Sequence, residues 1–208
     1  MKNLSLFQPL NVNLTVKSPM KSIIIKLLAL NATVLLFACS APVTHVIVSP
    51  ELHLANSNVF QQKQVQLRVE DLRPLNHIVQ ISRIDEAAQL YSAQQPITEV
   101  INSTLTSALK ASGLQIQPQA ANQVEIIIDN ALVSVQQGLL KYSANNQMEV
   151  RVVINNSVGS LTKVFKITGK SNGPLKADLA VLERDFNQQL AKLLRQIVQN
   201  EELQQFIQ

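Results

Sequence analysis

VEIIIDNALVSV, residues 124–135, decides how this chain folds. Val124, Ile126 and Ile128 fall on one phase of a period-two pattern, whereas Ala131, Val133 and Val135 fall on the other. Successive strand side chains point to opposite faces, so one strand can bury both sets only by taking in an extra residue or bending sharply. A bulge or bend is therefore expected near Asp129 and Asn130, with a long strand running through it.

The same reasoning extends outward. Met148, Val150, Val152 and Ile154 alternate as a further strand, and Leu161, Phe165 and Ile167 mark the next. NNSVGS at residues 155–160 reads as the hairpin between them. Upstream, Val65, Leu67 and Val69 alternate with Gln66, Arg68 and Glu70, and Asp71 to Pro74 end that strand. A weaker strand is expected from His77 to Ile84 and a brief one at 114–117.

Two stretches change to a helical period. Pro96 suits a first helical position, and Ile97, Val100, Ile101, Leu105, Ala108 and Leu109 follow at steps of three and four, with Gly113 as the stop. Leu179, Leu182, Phe186, Leu190, Leu193 and Ile197 form a second such stripe, which Asn200 interrupts before a further turn or two at 201–207. Each helix has one apolar face to bury. The simplest solution is an α+β fold: a mostly antiparallel sheet with two long amphipathic helices packed on one face.

Hydrophobic residues make up 46% of the chain and charged residues 15%, which suits a packed core and excludes an intrinsically disordered chain. The net charge of +4 would invite a nucleic-acid reading, but Lys2, Lys17, Lys21 and Lys26 all precede Cys39 with no acidic residue among them. Without those four, the 18 basic residues fall to 14, equal to the 14 acidic ones. The later cations are scattered singly, and phosphate binding needs them clustered, so no nucleic-acid partner is expected.

Cys39 is the single cysteine, which excludes an intrachain disulfide and any multi-cysteine metal cluster. It closes the stretch MKSIIIKLLALNATVLLFACS, residues 20–40, where Lys21 and Lys26 precede an apolar run. The run after Lys26 is shorter than the roughly 20 residues a spanning helix needs and reads instead as a signal-peptide core. Leu36, Phe37, Ala38 and Cys39 resemble a bacterial lipobox, with Phe37 departing from the small residue usual at its position. The resemblance implies cleavage after Ala38 and lipid on Cys39, and thus an anchor on the membrane. Several acyl chains make such an anchor durable where one gives only reversible binding. Ser40 rather than Asp follows the cysteine, which points to the outer membrane, facing the periplasm.

The expected organisation is a signal peptide at 1–38, with Met20 as an alternative start, a lipidated tether at 39–63 with a short strand around Val46 to Val48, and a single domain at 64–208. Such a tether could reach on the order of 80 Å.

The path from LLFACSAPVTHVIVSPELHL through VEDLR, TSALKASGLQI and VEIIIDNALVSVQQG to the terminal VQNEELQQFI resembles the YajG-like family of envelope lipoproteins. The likeness covers essentially the whole mature chain. Its motifs are patterns of strands and spacing, so it implies a location and a fold rather than a chemistry.

Catalytic vocabulary is sparse. No P-loop, GxGxxG, HExxH or GxSxG occurs, and five glycines leave little material for a phosphate loop. No cofactor is implied. His45, His53 and His77 are the only histidines, two of them in the expected tether, and no metal site is predicted from them.

Glu70, Asp71, Arg73 and His77, followed by Asp85 and Glu86, form the most polar neighbourhood, and Asp71, Arg73 and His77 are its candidates for chemistry. It could supply a base, its orienting cation and an acid for an envelope hydrolase, or it could be a hydrogen-bonded strand end. Asp129 and Asn130 could touch a ligand at the bulge or merely mark a kink. The reading favoured is a noncatalytic module that binds an envelope protein or lipid. The alternatives are the hydrolase and a carrier of a hydrophobic ligand, which would need an apolar cavity between helices and sheet.

Overall fold

Residue alternation breaks where the sequence says it must. The computed structural model of the protein describes residues 45–207. Cys39, Ala38 and the expected signal peptide lie outside them. Among the described residues the strands are β1 (His45–Val46), β2 (Gln64–Asp71), β3 (His77–Arg83), β4 (Gln89–Ala93), β5 (Gln115–Ile116), β6 (Asn122–Gln137), β7 (Lys141–Asn155) and β8 (Ser160–Pro174). The helices are α1 (Ile97–Ala111), α2 (Leu179–Val198) and α3 (Glu201–Ile207).

β6 organises the sheet. It pairs antiparallel with β7 from Gln123 to Gln137, and the register shifts between Ile128 and Asn130. That bulge lets Val124, Ile126 and Ile128 share the core with Ala131, Val133 and Val135. The other edge of β6 is divided end to end: β2 pairs with residues 122–128 and β3 with residues 133–137, both parallel.

The expected mostly antiparallel sheet is therefore corrected to a mixed one. β1 on β4 and β2 on β5 are parallel too, while β3–β4, β6–β7 and β7–β8 are antiparallel. Alternation reveals that a strand has two unlike faces but not the direction of its neighbours. Here the crossover between β2 and β6 contains α1, and such a connection brings back a parallel strand. Three helices, rather than two, then close one shared core with the sheet.

Helix ends explain where the chain turns. α1 starts after Pro96 and stops at Gly113, whose φ of +86° favours glycine. A Cβ there would lie 2.4 Å from Asn58 Oδ1. Asp178 caps α2, accepting from Ala180 N at 2.9 Å. Asn200 ends α2 and starts α3, its Oδ1 accepting from Leu203 N at 3.1 Å.

Residues 45–63 were expected to be tether, yet they lie on the domain. Val46, Val48 and Phe60 are buried in the common core. Ser57 N and Phe60 N donate to Ala111 O and Ser112 O, satisfying carbonyls that the last turn of α1 leaves without intrahelical partners. Nearer the start, Ile47 N donates to Glu183 Oε2 at 2.7 Å and Ser49 N to Asn187 Oδ1 at 2.8 Å, while Asn187 Nδ2 donates back to Ile47 O at 2.9 Å. Two side chains of α2 thus grip this segment like a neighbouring strand. Its buried apolar residues and spent backbone groups are incompatible with a free linker.

Candidate functional site

The Asp71, Arg73 and His77 neighbourhood sits where β6 passes from one partner strand to the other. Arg73 Nε donates to Asp71 Oδ1 at 2.9 Å and Nη2 to Oδ2 at 2.8 Å, a bidentate pair. Its Nη1 reaches Ala131 O at 3.3 Å and His77 O at 3.5 Å. Ala131 lies just past the bulge, in the interval of β6 that neither β2 nor β3 covers. The guanidinium therefore supplies donors in a gap of the ladder. Its side chain is 5% exposed, and all three of its nitrogens are engaged.

Burial by itself raises the Asp71 carboxyl. The Arg73 hydrogen bonds and charge outweigh that and hold it below its ordinary value. A carboxylate so stabilised is a weaker base than a free one. Asp71 and Arg73 border a groove of about 310 Å³ beside Gln94 to Thr98, but His77 does not line it. His77 is buried, with Nε2 3.3 Å from Gln80 Oε1. The three residues meet through the backbone of His77, not through its ring.

At the bulge itself Asp129 is claimed by Arg151 of β7, at 2.7 and 3.2 Å. His45 is exposed on β1, and His53 is exposed with its Nε2 3.8 Å from Glu51. Between the helices and the sheet an apolar void lined by residues such as Phe60, Leu105 and Ile154 measures about 20 Å³. That is room for about one water molecule and not for a lipid chain.

One end of the sheet carries a feature that periodicity does not flag. The β6–β7 turn places Leu139 and Leu140 outward, 98% and 78% exposed, beside Ile84 after β3 and Leu175 after β8. Buried Gln137 fixes this tip: Nε2 donates to Gly138 O and Leu175 O, and Oε1 accepts from Ala177 N, each at 2.8 Å. Leu175 N also donates to Leu140 O at 2.8 Å. Leu175 holds a φ of +60°, a conformation costly for a bulky side chain. The signal in the sequence was two leucines where a hairpin turn ordinarily holds Gly, Asn or Asp.

The pattern of a family described as "Uncharacterized lipoprotein" matches residues 50–208. The chain is 20% identical over 183 residues to the uncharacterized lipoprotein YajG of Escherichia coli strain K12, covering 87% of this chain and 95% of the relative. The YajG of Escherichia coli O6:H1 matches to the same extent. Among solved structures, a Xanthomonas campestris protein of the DUF330 family superposes with a TM-score of 0.55 over 77% of this chain and 96% of its own, at 13% identity. That likeness concerns the fold alone.

Proposed function

The chain belongs to the family of uncharacterized lipoproteins whose pattern spans its residues 50–208, and on that premise we propose that it is a noncatalytic module held on the outer membrane through lipid on Cys39, facing the periplasm. Its membership supports an envelope location, and the lipobox-like Leu36 to Cys39 supplies the attachment point. Among the described residues no helix is long and apolar enough to cross a membrane. Cleavage after Ala38 would leave Cys39 as the first residue of the mature chain, with Ser40 giving no inner-membrane retention signal.

The observation that carries the noncatalytic reading is the state of Arg73. Its guanidinium is spent on one carboxylate and on backbone carbonyls, and it holds Asp71 in the ionised form that proton abstraction would have to use up. The void of about 20 Å³ likewise gives no support to carriage of a hydrophobic ligand. What remains is a surface that binds another envelope component, protein or lipid.

Intact mass and acyl labelling of the wild type beside Cys39→Ala test the anchor. The expected result is a mature chain beginning at Cys39 with acyl groups that the variant lacks, in the outer-membrane fraction. An unlipidated wild type with its leader intact overturns it. Crosslinking of the native protein in cells, followed by recovery of a reproducible envelope partner, tests the binding role.

A further inference from the structure

We propose that the tip formed by Ile84, Leu139, Leu140 and Leu175 is the face on which the domain rests against the lipid bilayer, an inference that rests on Cys39 as the lipid-bearing residue. The direction of β1 carries the argument. β3 runs toward the tip, since Arg83 pairs with Gln137 at the end of β6. β4 is antiparallel to β3 and so runs away from the tip, and β1 is parallel to β4. The chain therefore enters β1 from the tip side, and the grip of Glu183 and Asn187 on Ile47 and Ser49 fixes that entry.

Lengths agree with the direction. His45 lies level with Ser92 and His77, and β3 covers about 20 Å from His77 to Arg83 at ~3.3 Å per residue. From Cys39 to His45 the chain spans at most ~20 Å when extended. Cys39 can thus reach the level of the tip. The opposite end of the sheet, with the β7–β8 turn at Val158, lies beyond the reach of the same leash: His77 is two residues behind Val79, which pairs with Val133, and from that level β6 runs back to Asn122 over about 30 Å.

The chemistry of the tip suits an interfacial lipid contact. Exposed leucine and isoleucine side chains project from the end of the sheet, and the exposed Lys141 and Lys176 beside them can meet lipid phosphates. Arg83 and Glu86 pair with each other at 3.0 Å, which leaves Asp85 as the other acidic group of the loop. Apolar insertion is the main attraction here and the lysines are its flank.

The chain contains no tryptophan, so a single introduced one reports its own surroundings. Leu139→Trp and Val158→Trp, both at highly exposed positions, are made in the full-length lipidated protein and reconstituted into phosphatidylethanolamine and phosphatidylglycerol vesicles with brominated acyl chains. The expected result is blue-shifted emission and several-fold stronger quenching for L139W than for V158W, reduced when Leu140→Asp is added to L139W. Equal, weak quenching of both in protein whose Cys39 is shown by mass to be acylated overturns the tip and leaves the anchor standing. A blue shift without quenching by the brominated chains, accompanied by a doubled mass, also overturns it and points to a second copy of the chain. Should Cys39 carry no lipid, the anchor reading fails by itself. Adding the same vesicles to the free variants then decides the tip, with selective quenching of L139W supporting it and equal quenching overturning it.

Discussion

Arg73 and Asp71 stand two residues apart and face each other as a bidentate pair, while the third nitrogen of the same guanidinium reaches Ala131 O at 3.3 Å. The pair thus closes the sheet where β2 leaves β6 and β3 has not yet joined it. In three dimensions the Asp71 and Arg73 side chains form a clasp across that seam.

Removing the clasp should cost stability. Arg73→Ala strands a partly buried carboxylate and leaves Ala131 O without that donor, so unfolding in urea should show a loss of about 2–4 kcal/mol. A loss below about 0.5 kcal/mol, the level of an ordinary surface substitution, would show that the seam does not depend on it.

The same pair predicts an acid limb. The carboxyl of Asp71 lies below its ordinary value of 3.8 in the folded protein, so the folded state binds fewer protons than the unfolded one as pH falls past that value. The stabilisation is complete above the unfolded value and is lost as pH drops through the folded one. Asp71→Asn should therefore flatten the fall in unfolding free energy below about pH 4 relative to the wild type. Parallel curves for the two proteins over that range would contradict the assignment.

Asn146 offers a stabilising substitution. It is buried on β7 opposite Gly169, and neither its Nδ2 nor its Oδ1 has a hydrogen-bond partner among the described residues. Gln189 of α2 packs over Gly169 nearby, and its Oε1 is likewise unpaired. Asn146→Val removes two costly buried polar atoms and adds a β-branched residue to a strand. Its unfolding free energy should rise by about 1 kcal/mol, read from the urea midpoint at constant slope. A fall instead would mean that this amide is wanted where it is, for binding rather than for folding.

The long strands, the helices and the bulge were legible because each leaves a periodic mark. Val124 to Val135 could not be read otherwise, and Asn200 separates α2 from α3 as its capping chemistry suggests. Strand direction was not legible, since Val65 and Val79 alternate alike whether their partner on β6 runs with or against them. Neither was the docking of residues 45–63. Its determinants are long-range: Glu183 and Asn187 on α2 and the C-terminal carbonyls of α1. β4, with half-exposed Leu90 and Tyr91 and a short span, gave too weak an alternation to notice. At the candidate site, the residue types were visible but not the inward turn of Arg73 or the outward display of Leu139 and Leu140, which only the closed sheet determines.

The grip of Glu183 and Asn187 on Ile47 and Ser49 has a mechanical meaning. A pull on the amino-terminal end along β1 loads the β1–β4 ladder and these side-chain bonds together in shear, so that they share the strain instead of opening one after another. Tension arriving at His45 would thus pass into α2 and the sheet together, and the first two residues of β1 would hold as one unit with the helix that grips them.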